Sequence, residues 1–300
     1  ALLLRMRAHP LPEARSYSDL MLSELRKVIP SFLRRVDVED RGVLWSSYFK
    51  ANRDSMQELA SQWFAQTDPI AVDEVELIDW DPDGERKMLA AMLYPYSHLP
   101  ETQLVAVVDK LTTEERIDLV RRYVGDRENR RHRPGRALER LDYRFDILGD
   151  YGGFRDLQRH RLLTIEWQSL TPHHGYEIPE AVMGAGLADR YDGAMERSRS
   201  LYETLHSDFP EQAAYAVSMA FRVRYVMQFN AREALHMIEL RSQPQGHPHY
   251  RRIAQEMYQQ IATRAGHQAV AEMFTHVDLT EGEDGRLQAE RALEARRATQ

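Results

Sequence analysis

The chain has 300 residues, of which 43% are apolar and 29% charged, an ordinary globular balance that excludes collagen-like, low-complexity and wholly disordered chains. No apolar run approaches the ~20 residues that span a bilayer, and Leu2-Leu3-Leu4 is cut short by Arg5 and Arg7, so neither a membrane span nor a signal-peptide core is expected. Forty basic against 47 acidic residues give a net charge of −7, which disfavours nucleic acid as partner, and the absence of cysteine removes disulfides, thiolate metal sites and thiol nucleophiles and fits a cytoplasmic location.

Most of the chain reads as helix. Leu20, Leu22, Leu25, Val28 and Phe32 mark one face of a helix over 16–34, and Val43, Leu44, Tyr48, Met56, Leu59 and Phe64 continue the pattern over 40–66. Thr67-Asp68-Pro69 breaks it, and Asp79 to Gly84 reads as a polar turn. Two short helices follow, the second opening at Thr112 with Glu115 three residues on, a capping box. Over 140–148 the period changes. Leu141, Tyr143, Phe145 and Ile147 alternate with Asp142, Arg144 and Asp146, the pattern of a half-buried strand. Asp150-Tyr151-Gly152-Gly153 turns the chain into a helix that carries Arg155, Arg159, His160 and Arg161, with Arg155 and Arg159 on one face. Four or five more helices are expected after Pro179, and 280–300 reads as a charged tail or a lone helix.

A shift of 180 residues aligns Pro30 with Pro210, Phe49 with Phe229 and Ala51 with Ala231. If this is a repeat, residues 1–62 are the tail of a first copy whose earlier part lies before Ala1. Its polar positions have drifted, with Lys50, Met56 and Ser61 opposite Asn230, His236 and Arg241. The expected organisation is a helical segment over 1–66, a linking region over 67–130, the main module over 131–279 and the tail.

Two clusters can carry chemistry. Arg155, Asp156, Arg159, His160 and Arg161 crowd cationic groups that need an anion among them, and guanidinium forks suit phosphate. In Asn230 to Arg241, Asn230 and Arg241 lie three helical turns apart on one face, and Arg232 and His236 lie on the neighbouring face. Each cluster alone is also explained by a charged helix surface, with Arg232–Glu239 or Glu233–Arg241 pairs in the second. His173-His174 and the histidines of His247-Pro248-His249 sit in loops without an acidic partner at ligand spacing and read as surface residues; no metal site is expected. The acidic run from Asp79 lacks the glutamate of a calcium loop, since Ala90 stands at its twelfth position.

Together the clusters carry a resemblance. Arg159-His160-Arg161, followed after seven residues by Ser169, is similar to the RHR-x7-S motif of flavin-dependent thymidylate synthases, and Asn230-Ala231-Arg232 with Arg241 resembles that family's second motif helix. Glu139 falls at the family's glutamate position and Arg155 at its arginine upstream of the motif, whereas Arg131-His132-Arg133 lacks the serine. The resemblance spans about 134–265 and implies an α+β fold, mainly helical around a central antiparallel sheet. It also implies homo-oligomers, tetramers or dimers of two-repeat chains, with active sites shared between subunits. It implies FAD as cofactor, NADPH and methylenetetrahydrofolate as cosubstrates, and methylation of dUMP to dTMP. By position, Arg159, His160, Arg161, Asn230, Arg232 and His236 would bind FAD. Ser169, Arg155 and Arg241 would face dUMP, with Arg241 catalytic. The departures fall on the nucleotide side: Asp156 replaces a glutamine, Arg140 a histidine, Trp167 stands where the family keeps a glutamate one residue on from Glu166, and Thr171 replaces an arginine. The rival expectations are a flavin-binding homologue with an altered nucleotide site and a structural, oligomerising helical protein.

Overall fold

The computed structural model describes residues 1–280 and 285–298. It separates into two compact units, one of residues 1–71 with 203–213, the other of 72–202 with 214–300.

The first unit contains α1 (Leu2–Arg7), α2 (Pro12–Val28), α3 (Pro30–Leu33) and α4 (Leu44–Trp63), the last entered through a π-helical turn at Glu39–Val43. Pro30 divides the helix expected over 16–34, because proline has no N–H for the preceding turn. The buried apolar cluster here is small, formed by Leu3, Leu22 and Leu33. Leu20, Val28 and Phe32, expected to face inward, are exposed, and no residue of α4 is buried.

The second unit opens with β1 (Val75–Trp80), followed by α5 (Gly84–Leu93), α6 (Glu101–Val108) and α7 (Thr113–Val124). The linking region expected over 67–130 therefore supplies a strand and three helices to this unit's core, and the turn expected from Asp79 begins only after Trp80. Thr112 caps α7 as the capping box predicts, its hydroxyl accepting from the Glu115 N–H while Glu115 accepts from the Thr112 N–H. Then come β2 (Asp142–Asp150), α8 (Tyr151–Leu157), β3 (Leu163–Trp167), α9 (Glu180–Gly184) and α10 (Ala188–His206), which crosses the boundary at 202. After α11 (Pro210–Ala213), which belongs to the first unit, follow β4 (Arg222–Asn230), α12 (Ala231–Arg241), α13 (Pro248–Thr263), α14 (Gln268–Ala271) and α15 (Gly285–Ala298). The part of the expected tail at 281–284 and 299–300 lies outside the described residues.

The four strands form one antiparallel sheet in the order β1-β2-β4-β3, which matches the fold class expected from the resemblance. The strand read at 140–148 is its second. In the central pair Tyr143 faces Phe229, Phe145 faces Met227 and Ile147 faces Tyr225, and these six side chains are almost wholly buried. The opposite face is polar and half-buried, with Arg224 on Asp146 at 3.1 Å and Arg144 on Gln228 at 3.3 Å. One apolar and one polar face give the period-two signal. Strand β1 is an edge, and Gln260 of α13 caps it like a missing neighbour, accepting from the Leu77 N–H and donating to the Val75 carbonyl, both at 2.7 Å.

The core is sealed by α12, whose Ala234, Leu235 and Ile238 are buried. Asn230 ends β4 and caps α12 at once, its side-chain oxygen accepting from the Glu233 N–H at 3.0 Å. That junction sets the position of the site.

Candidate functional site

A cavity of about 780 Å³ opens at the amino-terminal end of α12, walled by 127–139, by the stretch after α8 and by one face of α12. Eight arginines reach it. Its acidic lining residues are Glu139 and Glu233, and Leu162, Leu235, Leu240 and Pro134 supply apolar wall.

The wall after α8 corrects the helix expected there. The helix stops at Leu157, so Arg159, His160 and Arg161 lie on an irregular turn leading to β3, and Arg155 and Arg159 do not share a helical face. His160 is turned inward and nearly buried while Arg159 and Arg161 stay exposed.

Hydrogen bonding fixes the His160 ring. Arg241 Nε lies 3.1 Å from His160 Nε2, and a guanidinium only donates, so Nε2 carries the lone pair. The proton is then on Nδ1, 2.8 Å from Glu233 Oε1 and donated to it. His236 Nδ1 stands 3.5 Å from the second Glu233 oxygen, its ring edge-on to His160. Burial pushes the Glu233 carboxyl up, but hydrogen bonds from His160 and His236 outweigh burial and bring it down to about 2. Arg241 also donates to the Asp156 carbonyl at 2.6 Å and lies 5.3 Å from the centre of the Tyr250 ring. A chain of contacts, Arg241 to His160 to Glu233 to His236, therefore ties two segments 81 residues apart.

The donor atoms of His160, Glu233 and His236 lie within 4.8 Å of one another, close enough to hold a metal ion. Both His160 nitrogens are already engaged, one by the Arg241 donor, so this ring offers no lone pair to a cation without breaking the chain. The chemistry of this set is that of a hydrogen-bond relay.

On the far wall, Arg232 donates to the Pro134 carbonyl and to Glu139, both at 3.1 Å, and Arg136 pairs with Glu139 at 2.8 Å, a bond that holds the Glu139 carboxyl below its usual range. Arg127 and Glu239 form a buried two-pronged pair at 2.6 and 2.7 Å. Arg127 also donates to the carbonyls of His132 at 2.8 Å and Arg130 at 3.3 Å, fixing the loop that brings Arg130, His132 and Arg133 to the cavity. The pairs Arg232–Glu239 and Glu233–Arg241, the bland alternatives, are not formed; Glu239 and Glu233 are engaged elsewhere. Among the described residues no carboxylate pairs with Arg130, Arg133 or Arg161. Three uncommitted guanidiniums beside apolar wall suit a ligand with phosphates and a flat ring system.

Of the residues singled out from sequence, Arg159, His160, Arg161, Asn230, Arg232, His236 and Arg241 all line this cavity. Arg155 and Ser169 do not. Arg155 is exposed and lies over Tyr151, donating to its hydroxyl at 3.3 Å, and Ser169 is exposed beyond β3. Glu166 is exposed on β3, Trp167 packs against Phe154, and neither His173 nor His174 reaches the cavity. Asp156 leans toward Arg159 at 3.5 Å. Arg131-His132-Arg133 lacks the motif serine, yet His132 and Arg133 are cavity walls. The spacing offers Glu233 only a pairing with Arg241 and gives no sign of Arg127. A signal for Glu233 was its place three residues after Asn230, the capping geometry.

A second cavity, of about 530 Å³, lies by the start of α13. Here His249 corrects the expectation of a surface histidine without acidic partners. It is buried, its Nε2 accepts from the Asp150 N–H at 3.0 Å, and Nδ1 stands 3.4 Å from Asp150 and 3.9 Å from Glu177. Burial lowers its pKa despite those carboxylates.

The sequence model of the family described as thymidylate synthase complementing protein matches residues 76–265. The chain belongs to that family. The match takes in the sheet from the second residue of β1 onward and both motif segments, and it holds the residues that line the first cavity. A Chlamydia pneumoniae protein designated UPF0159 is 39% identical over 87% of this chain and 49% of its own length, and a Chlamydia muridarum protein of the same designation is 35% identical over 96% and 54%. The chain thus spans about half the length of these curated relatives. Among solved structures, a UMP/dUMP methylase PolB from Streptomyces cacaoi, bound with 5-Br dUMP, shares the fold at a TM-score of 0.52 and 18% identity. The alignment covers 68% of this chain and 96% of that one.

Proposed function

We propose that this member of the thymidylate synthase complementing protein family is a flavin-dependent enzyme that methylates dUMP to dTMP, with methylenetetrahydrofolate as one-carbon donor and NADPH as reductant. One observation carries the reading: His160 is held in a single tautomer between Arg241 and Glu233, beside guanidiniums that have no carboxylate partner. The donor set fits FAD. Arg130, Arg133 and Arg161 offer forks to its phosphates, and the leucines and Pro134 offer apolar wall to its rings. When bound, FAD supplies the redox chemistry, which no side chain of a cysteine-free protein provides.

The chain's own residues bind and orient. Asn230, Arg232 and His236 on the first turns of α12, with Arg159, His160 and Arg161 opposite, form the cofactor wall. Arg241 acts on the substrate side. Its Nε and one terminal nitrogen are spent on His160 and the Asp156 carbonyl, so the guanidinium is fixed before any ligand arrives. A fixed cation beside a uracil carbonyl stabilises the negative charge that develops there on reduction of the ring. In the same reading Arg155 and Ser169 reach a nucleotide site completed by a second copy of the chain, in a cytoplasmic homo-oligomer. No described helix is long and apolar enough to cross a membrane.

A second reading, a flavin-binding homologue that does not make thymidylate, is favoured by the place of Arg155 and Ser169 outside the cavity and by Thr171. Purified protein titrated with FAD, then assayed for tritium release from 5-labelled dUMP with NADPH and the folate, separates the two. Flavin binding with tritium release is expected. Flavin without release selects the second reading, and failure to bind FAD overturns both.

A further inference from the structure

The second cavity lies wholly within the second unit, between the start of α8, the segment 177–179, the turn at Met219-Ala220 that leads into β4, and the start of α13. At about 530 Å³ it is large enough for a small organic molecule. Pro179, Met219 and Pro248 give it apolar wall, and Tyr191 and His247 give it rings. Its charged groups are Asp150, Glu177, Arg222 and Arg252. None of these residues lines the first cavity.

Both arginines are held by one carboxylate. Arg222 Nη2 donates to Glu177 Oε1 at 2.6 Å, and Arg252 Nη2 donates to Glu177 Oε2 at 2.7 Å. Glu177 thus bridges two guanidiniums in the way a bound carboxylate would. The bridge leaves donors unmet. Arg222 Nε is buried and has no acceptor. Arg252 Nη2 also stands 3.2 Å from His249 Nδ1. Because His249 Nε2 accepts from the Asp150 N–H, the ring proton is on Nδ1, so Arg252 meets a donor there and not a lone pair. The bridge is also easily opened. The Glu177 side chain is 45% exposed and that of Arg252 50%, and ion pairs so open to water hold weakly. Two guanidiniums with spare donors, at the edge of a cavity with aromatic wall, are closed off only by a side chain that can swing away.

We propose that this cavity binds an aromatic monocarboxylate, whose carboxylate displaces Glu177 from between Arg222 and Arg252 and whose ring lies against Tyr191, His247 and Met219. Charge selects the class. Burial disfavours the charged form of His249, so two guanidiniums face two carboxylates, Asp150 and Glu177. Asp150 does not leave, since its Oδ1 accepts from the Gly153 N–H at 2.5 Å as the cap of α8. A phosphate ester would bring a second negative charge beside Asp150, whereas a monocarboxylate repeats the charge of the group it replaces. A cation would meet both guanidiniums. The inference uses no residue of the flavin reading and would stand if that reading failed.

Benzoate is the probe, titrated calorimetrically into the 300-residue chain beside benzamide, which is uncharged, and phenyl phosphate, which is doubly charged at mildly alkaline pH. Saturable binding of benzoate is expected, tighter than that of either control. Arg252→Gln should weaken it about tenfold, the worth of one charge-assisted bond. Glu177→Gln removes the internal competitor and should tighten it about two- to fivefold. Both side chains are half exposed, so both variants should keep the fold. The proposal is overturned if benzoate does not bind, if Arg252→Gln binds it as well as the parent does, if Glu177→Gln binds it no tighter, or if either control equals it. A readout on the unsubstituted protein places the ligand. The ring signals of His247 and His249 should shift on addition of benzoate, and a titration that moves only those of His132, His160 and His236 puts the ligand in the first cavity and refutes the proposal.

Discussion

Glu233 is the residue on which the cavity's geometry turns, and its removal can be costed. The substitution Glu233→Gln keeps size and one acceptor for His160 Nδ1 but removes the charge. A carboxyl lowered from 4.5 to about 2 contributes about 3 kcal/mol of folding stability at pH 7, at 1.36 kcal/mol per unit. Because the folded pKa is depressed, this contribution is fully present above the unfolded value and is lost as pH falls through the folded one. The glutamine variant resembles the protonated carboxyl at every pH. Urea unfolding of both proteins should therefore show a gap of about 3 kcal/mol at pH 7 that narrows to about 1 kcal/mol at pH 3. A gap that does not change between pH 7 and pH 3 would refute the assignment of a charged Glu233 bonded by His160 and His236. A gap that widens on acidification would reverse its sign. The same variant should loosen the His160 ring, so a weaker grip on FAD is expected alongside the lost stability.

Replacing Arg127 by methionine strands Glu239 in the interior and should cost roughly 3–5 kcal/mol in urea unfolding, with much of the loss recovered by adding Glu239→Leu; a single variant as stable as the parent would contradict the buried pair. Arg161→Ala removes an exposed, unpaired guanidinium, so stability should hold within about 0.5 kcal/mol while the dissociation constant for FAD rises about tenfold, less at high salt; unchanged FAD affinity by fluorescence titration would remove Arg161 from the site. Thr112→Ala breaks the capping box of α7 and should cost about 1 kcal/mol in the same unfolding assay, whereas no loss would show that the cap adds nothing.

What was legible in the sequence divides along physical lines. Tyr143, Phe145 and Ile147 announced β2 because their strand has one apolar and one polar face. The same alternation is present in Val223, Tyr225, Met227 and Phe229, but Val226 interrupts the polar face and the helical segments on either side concealed it. Strand β1 is short, carries a bulge between Leu77 and Asp79, and ends in residues that also suit a turn. Strand β3 exposes most of its side chains and gives almost no periodic signal. The site followed a different logic. Residue types at fixed spacing on α12 were enough to name Asn230, Arg232, His236 and Arg241, because a helix converts spacing into a face. Arg127 and Glu239 meet across 112 residues, and a pairing of that kind has no local trace. Arg130, His132 and Arg133 reach the cavity because that buried pair pins their loop, so a segment dismissed for lacking a motif partner is placed by an ion pair elsewhere. The first unit shows the limit of the same signal. The spacing of Val43, Leu44, Tyr48 and Met56 reads as helix and α4 forms there, yet all four side chains are exposed. Periodicity announces an element from local spacing, whereas burial depends on what the rest of the fold brings against that face.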